Sequence, residues 1–418
     1  MKLKIMKGRS LQFQTQFPIS NIYMSNQDYS VKQLLEMGAC TNCQVCADVC
    51  PAVSASLDGQ LSAIYRMKGL NQVLKGRGGL LSRLFGRKAP SSEEWKDFSN
   101  TVFRCTLCGN CQEVCPVGIH LKDLWLSLRQ DMVHSGLYPK KIDMIRENLA
   151  EDHNVFAEDN EERAEWVDDM RDPPDDGYIR EKADIVYFTG CTAAYFPVAQ
   201  KIPIALVEIL DRSKVDFTIL GEEEWCCGFP MLGAGLKDMF DAFKTHNLEA
   251  LREKGAKEVL FACPSCYQMW REYYPEEFKI SHATQFLTQL IRENRVPLQE
   301  LDLTVTYHDP CDLGRGAREF EAPREVIRSI PGLRFVELPK NRENCQCCGG
   351  GGNLEMVDAK LSAQIAERKI EEILSTGADA VVTSCQQCVR TMMTYVRRNK
   401  ISLEVLDITQ LVRRALRE

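Results

Sequence analysis

The positions of hydrophobic residues divide the chain into two unlike parts. Between residues 183 and 418, short runs rich in β-branched and aromatic residues alternate with longer segments of helical periodicity. This alternation predicts α/β architecture with a mainly parallel sheet. The candidate strands form two series, 183–190, 214–220 and 257–262, followed by 303–309, 333–338 and 378–384.

Helical periodicity marks the segments between these strands. Residues 236–255 and 358–377 both show it, and each segment ends in glycine, as helix C-termini often do. Residues 1–150 have helical composition around their cysteines, as in the stretch VKQLLEMG. The chain is therefore predicted to be an α+β multidomain protein, with a helical N-terminal part followed by α/β modules.

Cysteine positions show that the α/β part is an internal repeat. Cys191 corresponds to Cys311 at a spacing of 120 residues, and the two later pairs keep nearly the same spacing, Cys226 with Cys347 and Cys263 with Cys385. Cys-Cys-Gly and Cys-x-x-Cys patterns recur in the same order, which indicates duplication of one module. The modules are predicted to span 183–300 and 301–418.

An acidic stretch separates the helical part from the modules. Residues 151–184 hold 14 Asp and Glu against four Lys and Arg, and Pro173-Pro174 supports a boundary there. We interpret residues 151–182 as a solvated linker. Three domains are expected from this division, which agrees with the roughly 150 residues that a domain usually takes.

Composition narrows the class of protein. A net charge of −7 and a pI near 5.6 argue against a nucleic-acid binder. No window approaches the ~20 consecutive apolar residues of a membrane span, and the first twenty residues match no secretory signal. The cytoplasm is the expected location. In a long cytoplasmic chain, 19 cysteines are more typical of metal binding or redox chemistry than of disulfides.

Two cysteine runs in the N-terminal part match the two-cluster ferredoxin motif Cys-x-x-Cys-x-x-Cys-x-x-x-Cys-Pro. In that motif, three thiolates hold one 4Fe–4S cubane and the fourth cysteine ligates the other cluster. One predicted ligand set is Cys40, Cys43, Cys46 and Cys115. The other is Cys105, Cys108, Cys111 and Cys50. Zinc bound by four thiolates is the alternative, although three cysteines at successive three-residue spacing are unusual for zinc.

Residues 74–88, LKGRGGLLSRLFGRK, are basic with interleaved leucine and phenylalanine. This segment suits docking to an acidic partner or to the anionic inner face of a membrane, which would make the protein peripheral there. A solvated loop over the cysteine motifs is the alternative.

Each α/β module carries five thiols. In the first they are Cys191, Cys226, Cys227, Cys263 and Cys266. In the second they are Cys311, Cys347, Cys348, Cys385 and Cys388. Five is one more than a cubane or a zinc ion requires. Because these elements follow predicted strands, and ligand sites of open α/β sheets lie at the carboxyl ends of strands, we expect five sulfurs to converge in each module.

This arrangement is similar to the cysteine-rich CCG module of heterodisulfide reductase, and the helical part resembles the helical ferredoxin of succinate dehydrogenase and heterodisulfide reductase subunits. The whole chain resembles the D subunits of heterodisulfide reductase, which correspond to fused C and B subunits. The resemblance implies that each five-cysteine set binds a noncubane 4Fe–4S cluster. It also implies that a disulfide is cleaved between these two clusters, so that the ten module cysteines form the catalytic site.

Three further residues near this site are candidates for a functional role. Cys345 is a sixth thiol, two residues before Cys347, and we leave it unassigned. His308 and His282 are the available proton donors, although a structural role is the alternative for both. The glycine run that follows Cys348 permits a close approach of the backbone to a bulky group.

We therefore predict an iron–sulfur oxidoreductase of anaerobic metabolism that passes electrons through two cubanes to two noncubane clusters, where a disulfide is reduced. One alternative is an electron-transfer subunit that feeds a flavoprotein, a quinone or an acyl-CoA reductase and has no disulfide substrate. A zinc-bound scaffold is another. The chain has no Gly-x-Gly-x-x-Gly fingerprint, so we expect a flavoprotein or membrane cytochrome as partner in a hetero-oligomeric complex, with a small thiol or disulfide as substrate.

Overall fold

The N-terminal part is helical, as predicted. The computed structural model describes residues 29–76 and 92–417, and residues 77–88 of the basic segment lie outside them. The helices of this part are α1 Val31–Gly38, α2 Val45–Asp48, α3 Pro51–Ser56, α4 Ala63–Gly76, α5 Ser92–Phe103, α6 Asn110–Glu113, α7 Leu121–His134 and α8 Lys141–Asp152. Helix α7 forms the centre of their core, since Leu124, Trp125 and Leu128 are buried among the other helices.

The first module is a four-stranded parallel sheet with the order β2-β1-β3-β4. Its strands are β1 Ile185–Phe188, β2 Phe217–Ile219, β3 Glu258–Phe261 and β4 Lys279–His282. Its helices are α9 Cys191–Tyr195, α10 Lys201–Arg212, α11 Phe229–Ala234, α12 Phe240–Glu253, α13 Pro264–Tyr273 and α14 Ala283–Arg292. The strand order reverses between β1 and β3, and such a switch point opens a crevice at the carboxyl edge of a parallel sheet.

The second module repeats this topology, with the order β6-β5-β7-β8. Its strands are β5 Thr304–His308, β6 Arg334–Val336, β7 Ala380–Thr383 and β8 Glu404–Asp407. Its helices are α15 Glu321–Arg328, α16 Leu354–Val357, α17 Ala359–Leu374, α18 Gln386–Arg398 and α19 Ile408–Arg414. The predicted α+β fold class and the duplication of a parallel-sheet module are both confirmed.

The two modules pack against each other through matching helices. Helix α10 of the first contacts α19 of the second, and α14 contacts α15. Apolar residues of both modules form one continuous core across this junction. Polar contacts reinforce it: Thr409 Oγ1 donates to the Ile202 carbonyl, and Arg292 forms an ion pair with Glu325. The modules therefore share a core at this junction.

The acidic segment is only partly solvated. Residues Asn160–Val167 form a 3-10 helix against the first module, and Arg163 and Trp166 on it are at most 1% exposed. The prediction of a fully solvated linker is therefore wrong for this stretch, because two large side chains are buried there, whereas neighbouring acidic residues such as Glu161 and Glu162 are exposed as expected. The boundaries 151–182 remain a prediction.

Candidate metal centres

The first N-terminal quartet consists of Cys40, Cys43, Cys46 and Cys115. These four cysteines line one cavity, together with apolar residues that include Met67 and Ile119. Cys40 and Cys43 lie on the loop that leads from α1 into α2, Cys46 lies on α2 itself, and Cys115 follows α6. Cys43 is exposed, whereas the other three are partly covered. Of the two N-terminal quartets, this one has the more exposed thiol.

The second quartet consists of Cys50, Cys105, Cys108 and Cys111, which line a neighbouring cavity. The two cysteine loops share an unusual backbone. Asn42 and Gln44 have positive φ angles in the first loop, and Leu107 and Gly109 have them at the corresponding positions of the second. Left-handed backbone at non-glycine residues is strained and is found mostly at functional sites. The structure thus brings together both predicted sets, each with its fourth thiol from the other motif.

The electrostatics of these quartets fit a metal cluster. Burial, together with the neighbouring Cys40 and Cys43, raises the pKa of Cys46 to about 11. Burial also raises the pKa of Cys50 to about 11. Thiols of this kind stay protonated by themselves and lose their protons to a bound metal. Four converging sulfurs in an apolar cavity are a suitable donor set for a 4Fe–4S cluster.

The five thiols of the first module lie at the switch point of its sheet. Cys191 follows β1 and Cys263 follows β3, while Cys226 and Cys227 precede α11. Hydrogen bonds between thiols connect the set in the order Cys191, Cys226, Cys227, Cys266 and Cys263. All five are buried. The expected convergence on one site is therefore observed.

Gly190 allows this packing. Its φ is +81°, and a Cβ placed on it would lie 3.3 Å from Cys266 Sγ and 3.3 Å from Gln386 Oε1 of the other module. The Gln386 amide donates to the Thr189 carbonyl across the same junction, at 2.9 Å. A side chain at position 190 would press on the thiol set and on the contact between modules.

The second module assembles its thiols in the same way. Cys347, Cys348, Cys388 and Cys385 are connected by thiol hydrogen bonds, and the Sγ atoms of Cys348 and Cys388 are 3.2 Å apart. Cys311 follows β5, precedes a single π-helical turn at Asp312–Gly316, and lies near Cys347. Such π turns interrupt regular helices mostly at functional sites.

In each module the second cysteine of the Cys-Cys pair has a lowered pKa, and in the first module the pKa of Cys263 is lowered as well. Hydrogen bonds from Cys226 and Cys266 lower the pKa of Cys227 to about 6. Hydrogen bonds from Cys347 and Cys388 hold the pKa of Cys348 well below its ordinary value. The second cysteine of each Cys-Cys pair therefore lies at the centre of its sulfur set and has a lowered pKa, which favours thiolate coordination.

The N-terminal part and the second module meet at their sulfurs. The thiol of Cys108 is hydrogen-bonded to that of Cys347. The glycine run allows this approach, since a Cβ on Gly352, at φ +62°, would lie 2.4 Å from the Cys105 carbonyl. The close contact predicted from this run is therefore with the backbone of a cysteine loop. Arg315 joins the same parts by donating to the Cys108 and Cys345 carbonyls.

Two cations next to the thiols, buried Arg163 and partly buried Lys122, are residues that the sequence did not reveal. Arg163 Nη2 is 3.5 Å from Cys191 Sγ and forms an ion pair with Glu224 at 2.6 Å. Lys122 donates to Asp312 at 2.9 Å, close to Cys311, and although burial alone would lower it, Asp312 and Cys311 raise the pKa of this lysine. A positive charge from outside each module therefore lies near that module's first cysteine.

The sixth thiol of the second module has specific partners. Lys369 Nζ donates to Cys345 Sγ at 3.4 Å, and His308 Nδ1 lies 3.4 Å from the same sulfur. Burial raises the pKa of Cys345, but Lys369 and His308 outweigh it, so that the pKa is below its ordinary value. The sequence singled out Cys345 and His308 separately, and the structure brings them together.

His282, the other candidate proton donor, caps a helix. Its Nδ1 accepts from the Thr284 amide at the start of α14, and its side chain is fully buried. Burial lowers the pKa of His282 to about 3, so the ring is neutral at physiological pH. This favours the structural alternative over proton donation.

Two thiol quartets in a helical domain, and two five-thiol sets at the edges of duplicated parallel sheets, define an iron–sulfur protein. A model of the 4Fe-4S dicluster domain matches residues 36–119, and a model of the cysteine-rich domain matches residues 185–271 and 305–393. The chain belongs to the family of heterodisulfide reductase D subunits, and within the described residues no helix is long and apolar enough to cross a bilayer.

Relatives of known name support that assignment. The chain is 37% identical to the D subunit of the dihydromethanophenazine:CoB–CoM heterodisulfide reductase of Methanosarcina acetivorans, over 94% of this chain and 97% of that one. It is 36% identical to the same protein of Methanosarcina barkeri over equal shares. It is 26% identical to an EtfAB:quinone oxidoreductase of Syntrophomonas wolfei, over 96% of this chain and 60% of that protein. Iron–sulfur oxidoreductases are thus its relatives.

Proposed function

We propose that this chain is the subunit of a heterodisulfide-reductase-type enzyme that carries electrons through two 4Fe–4S cubanes to two noncubane 4Fe–4S clusters, where a disulfide is reduced. The observation that carries the proposal is the completeness of the donor sets: eight thiols in two quartets and ten in two five-thiol sets, all brought together by the fold. When bound in these sites, iron–sulfur clusters supply one-electron transfer.

The thiol sets form a continuous series through the molecule. Cys43 of the first quartet is exposed, which makes that quartet the natural point for electrons to enter. The second quartet adjoins the second module where Cys108 meets Cys347. The modules adjoin where Cys385 lies near Cys263. This order supports an internal electron route that ends at the two thiol sets of the modules.

Reduction of a disulfide consumes two electrons and two protons and releases two thiols. The two module thiol sets suit this chemistry, because each holds a sulfur of lowered pKa, Cys227 in the first and Cys348 in the second, and the Arg163 guanidinium beside Cys191 stabilises negative charge on sulfur. We propose a small thiol or disulfide as the substrate.

A redox partner belongs to this proposal. The chain matches subunits of larger enzymes, and the names of its relatives point to a methanophenazine-linked reductase and to a quinone oxidoreductase that acts with EtfAB. We propose a hetero-oligomeric complex in which a flavoprotein or a membrane cytochrome delivers electrons to the first quartet.

The test is an anaerobic assay of the reconstituted chain, with a reduced viologen as donor and low-molecular-weight heterodisulfides as acceptors. Wild type is expected to turn over, and Cys227→Ser and Cys348→Ser are expected to fall to background. Leu374→Ala, at a side chain that is 43% exposed, is the control and should match wild type. A fully iron-loaded chain without disulfide turnover would exclude this activity and favour the electron-transfer subunit that has no disulfide substrate.

Iron analysis tests the cofactors separately. Four clusters of four irons require about 16 iron atoms per chain. A value of about eight would show that the modules are empty and that only the N-terminal quartets hold clusters. Zinc in place of iron, without visible absorbance, would support the scaffold hypothesis instead.

A further inference from the structure

A buried imidazole lies among the sulfurs of the second module. A ring nitrogen of His308 and the Sγ atoms of Cys348 and Cys388 all lie within 4.8 Å of one another. All three side chains are buried. One nitrogen and two sulfurs at this separation are a donor set that transition metals accept.

The position of His308 is fixed by its strand. It is the last residue of β5, in register with Thr383 of β7, and its carbonyl accepts a hydrogen bond from Thr383 Oγ1 at 3.0 Å. Since β5 and β7 flank the switch point, the end of β5 delivers the ring to the sulfur set. A side chain held on a central strand has little freedom to move away.

The far side of the ring has the partner that a metal-bound histidine needs. A ligating imidazole donates its second N–H to an acceptor, which fixes its orientation and tautomer. His308 Nδ1 lies 3.4 Å from Cys345 Sγ. That sulfur accepts from Lys369 at 3.4 Å, and Lys369 pairs with Glu372 at 2.9 Å. Nδ1 is thus occupied by Cys345, which leaves Nε2 for a metal.

The first module lacks both parts of this arrangement. Phe188 precedes Cys191 by three residues, as His308 precedes Cys311, and it packs against Phe261 and Trp270. Glu224 precedes Cys226 by two residues, as Cys345 precedes Cys347, and it pairs with Arg163. The histidine and its sulfur partner are therefore present together in one module and absent together from the other.

We propose that His308 is a nitrogen ligand of the iron centre in the second module, bound beside Cys348 and Cys388, with Cys345 and Lys369 as positioning residues for its ring. This ligand assignment rests on the proposed function in one respect, which is that the second module must hold iron. It makes the two centres chemically unlike: the first has sulfur donors alone, and the second has sulfur and nitrogen.

Pulsed EPR of the full chain labelled with 15N-histidine tests the ligand directly. The iron-loaded wild type is expected to show the strong 15N coupling of a directly bound nitrogen. His308→Phe, which places the first module's own residue in the second, is expected to lose it. His282→Asn removes another buried histidine and should leave the coupling unchanged.

Iron content separates the possible failures. A second module that holds no iron in the wild type would contradict the proposed function. A module that holds iron but shows only the weak coupling of a hydrogen-bonded ring would overturn the ligand assignment alone. The wild-type measurement needs no variant, so poor folding of His308→Phe does not affect this decision.

The positioning role has its own test. Cys345→Ala removes the acceptor of the Nδ1 proton and keeps the ring, so iron should stay bound while the 15N coupling changes in size or orientation. Cys345→Ser restores an acceptor and is expected to recover a coupling close to that of wild type. An unchanged spectrum in Cys345→Ala would exclude a positioning role for this thiol.

Discussion

A buried arginine lies beside the thiol set of the first module. Arg163 is 1% exposed and forms an ion pair with Glu224 through Nη2, and the same nitrogen donates to Cys191 Sγ at 3.5 Å. Hydrogen bonds to cluster sulfurs are among the factors that set the reduction potential of an iron–sulfur centre, because they stabilise the added electron. A residue of the acidic segment thus bears on the chemistry of the first module.

Replacing Arg163 with methionine is expected to lower the midpoint potential of the first module's iron centre. It should also destabilise the fold by about 3–5 kcal/mol, because Glu224 is left buried without its counter-charge. A redox titration followed by EPR measures the potential, and denaturant unfolding measures the stability.

Arg180→Met provides the control on the same module. Arg180 is about one-third exposed and pairs with Asp176 and Asp216 at the surface, where such pairs contribute about 0–1 kcal/mol. Arg163→Met/Glu224→Gln should recover stability without recovering the potential. If the double variant has the same midpoint potential as wild type, Arg163 has no influence on the iron centre of the first module.

The thiols were predictable from the sequence, and their polar partners were not. Cysteine spacing is local and repeats, so the spacing alone is enough to indicate all four thiol sets. Arg163 is one of four basic residues in an acidic stretch and gives no such signal, since its partner Glu224 lies 61 residues away. Lys122 and Lys369 likewise acquire their partners only through folding.

Among the secondary-structure elements, six of the eight strands were predictable, and the last strand of each module was not. Strands β1, β3, β5 and β7 are apolar runs buried in the middle of their sheets, as expected for parallel sheets. The edge strands β4, with the sequence KISH, and β8, with EVLD, went unpredicted because half or more of their residues are polar or charged. Helices 236–255 and 358–377 formed as predicted, with Gly255 and Gly377 at positive φ after their ends.

The start of α14 gives a prediction on pH. The folded pKa of His282 is about 3, below the value of ~6.5 of an unfolded histidine. Below pH 6.5 the unfolded chain therefore binds a proton that the folded chain does not, and stability falls as the pH drops. Between pH 6 and 4, this residue alone makes the free energy of unfolding fall by up to about 1.4 kcal/mol for each pH unit.

His282→Asn should remove this slope and keep the helix cap, because asparagine is a favourable N-cap residue. Denaturant unfolding at intervals from pH 8 to pH 5 provides the comparison, and the two curves should run parallel above pH 7. Wild-type and variant curves that remain parallel down to pH 5 would contradict the assignment of a buried neutral ring.

In the molecule as a whole, one arginine joins the three folded parts. Arg129 on α7 is fully buried and donates to the carbonyls of Cys105, Gly233 and Gly352, which belong to the N-terminal part, the first module and the second module. Burial lowers the pKa of Arg129 to about 10, so the guanidinium stays charged at neutral pH. Its hydrogen bonds therefore connect the N-terminal part with both modules.

Arg129→Met is expected to destabilise the chain by at least about 3 kcal/mol, because each stranded carbonyl costs about 1–3 kcal/mol. It should also divide one cooperative unfolding transition into two, which calorimetry would detect. Arg146→Met, at a partly exposed ion pair with Asp143 on α8, is the matched control. A single transition with wild-type midpoint in Arg129→Met would show that this residue does not couple the parts.

The order of the parts along the chain was predictable, but their mutual arrangement was not. Repeat spacing indicates two modules without saying how they face each other, and that depends on Gln386 and on the contact of α10 with α19. The meeting of Cys108 with Cys347 likewise joins residues 239 positions apart. Such contacts depend on surface shape, which a local pattern does not encode.

The exchange of a fourth thiol between the two N-terminal motifs has a consequence for biogenesis. A chain emerging from the ribosome has no complete quartet until the second motif has been made, because Cys40, Cys43 and Cys46 wait for Cys115, and Cys50 waits for the three cysteines of the second motif. Ligation of either cluster by four thiols is therefore expected only after the second motif has been made.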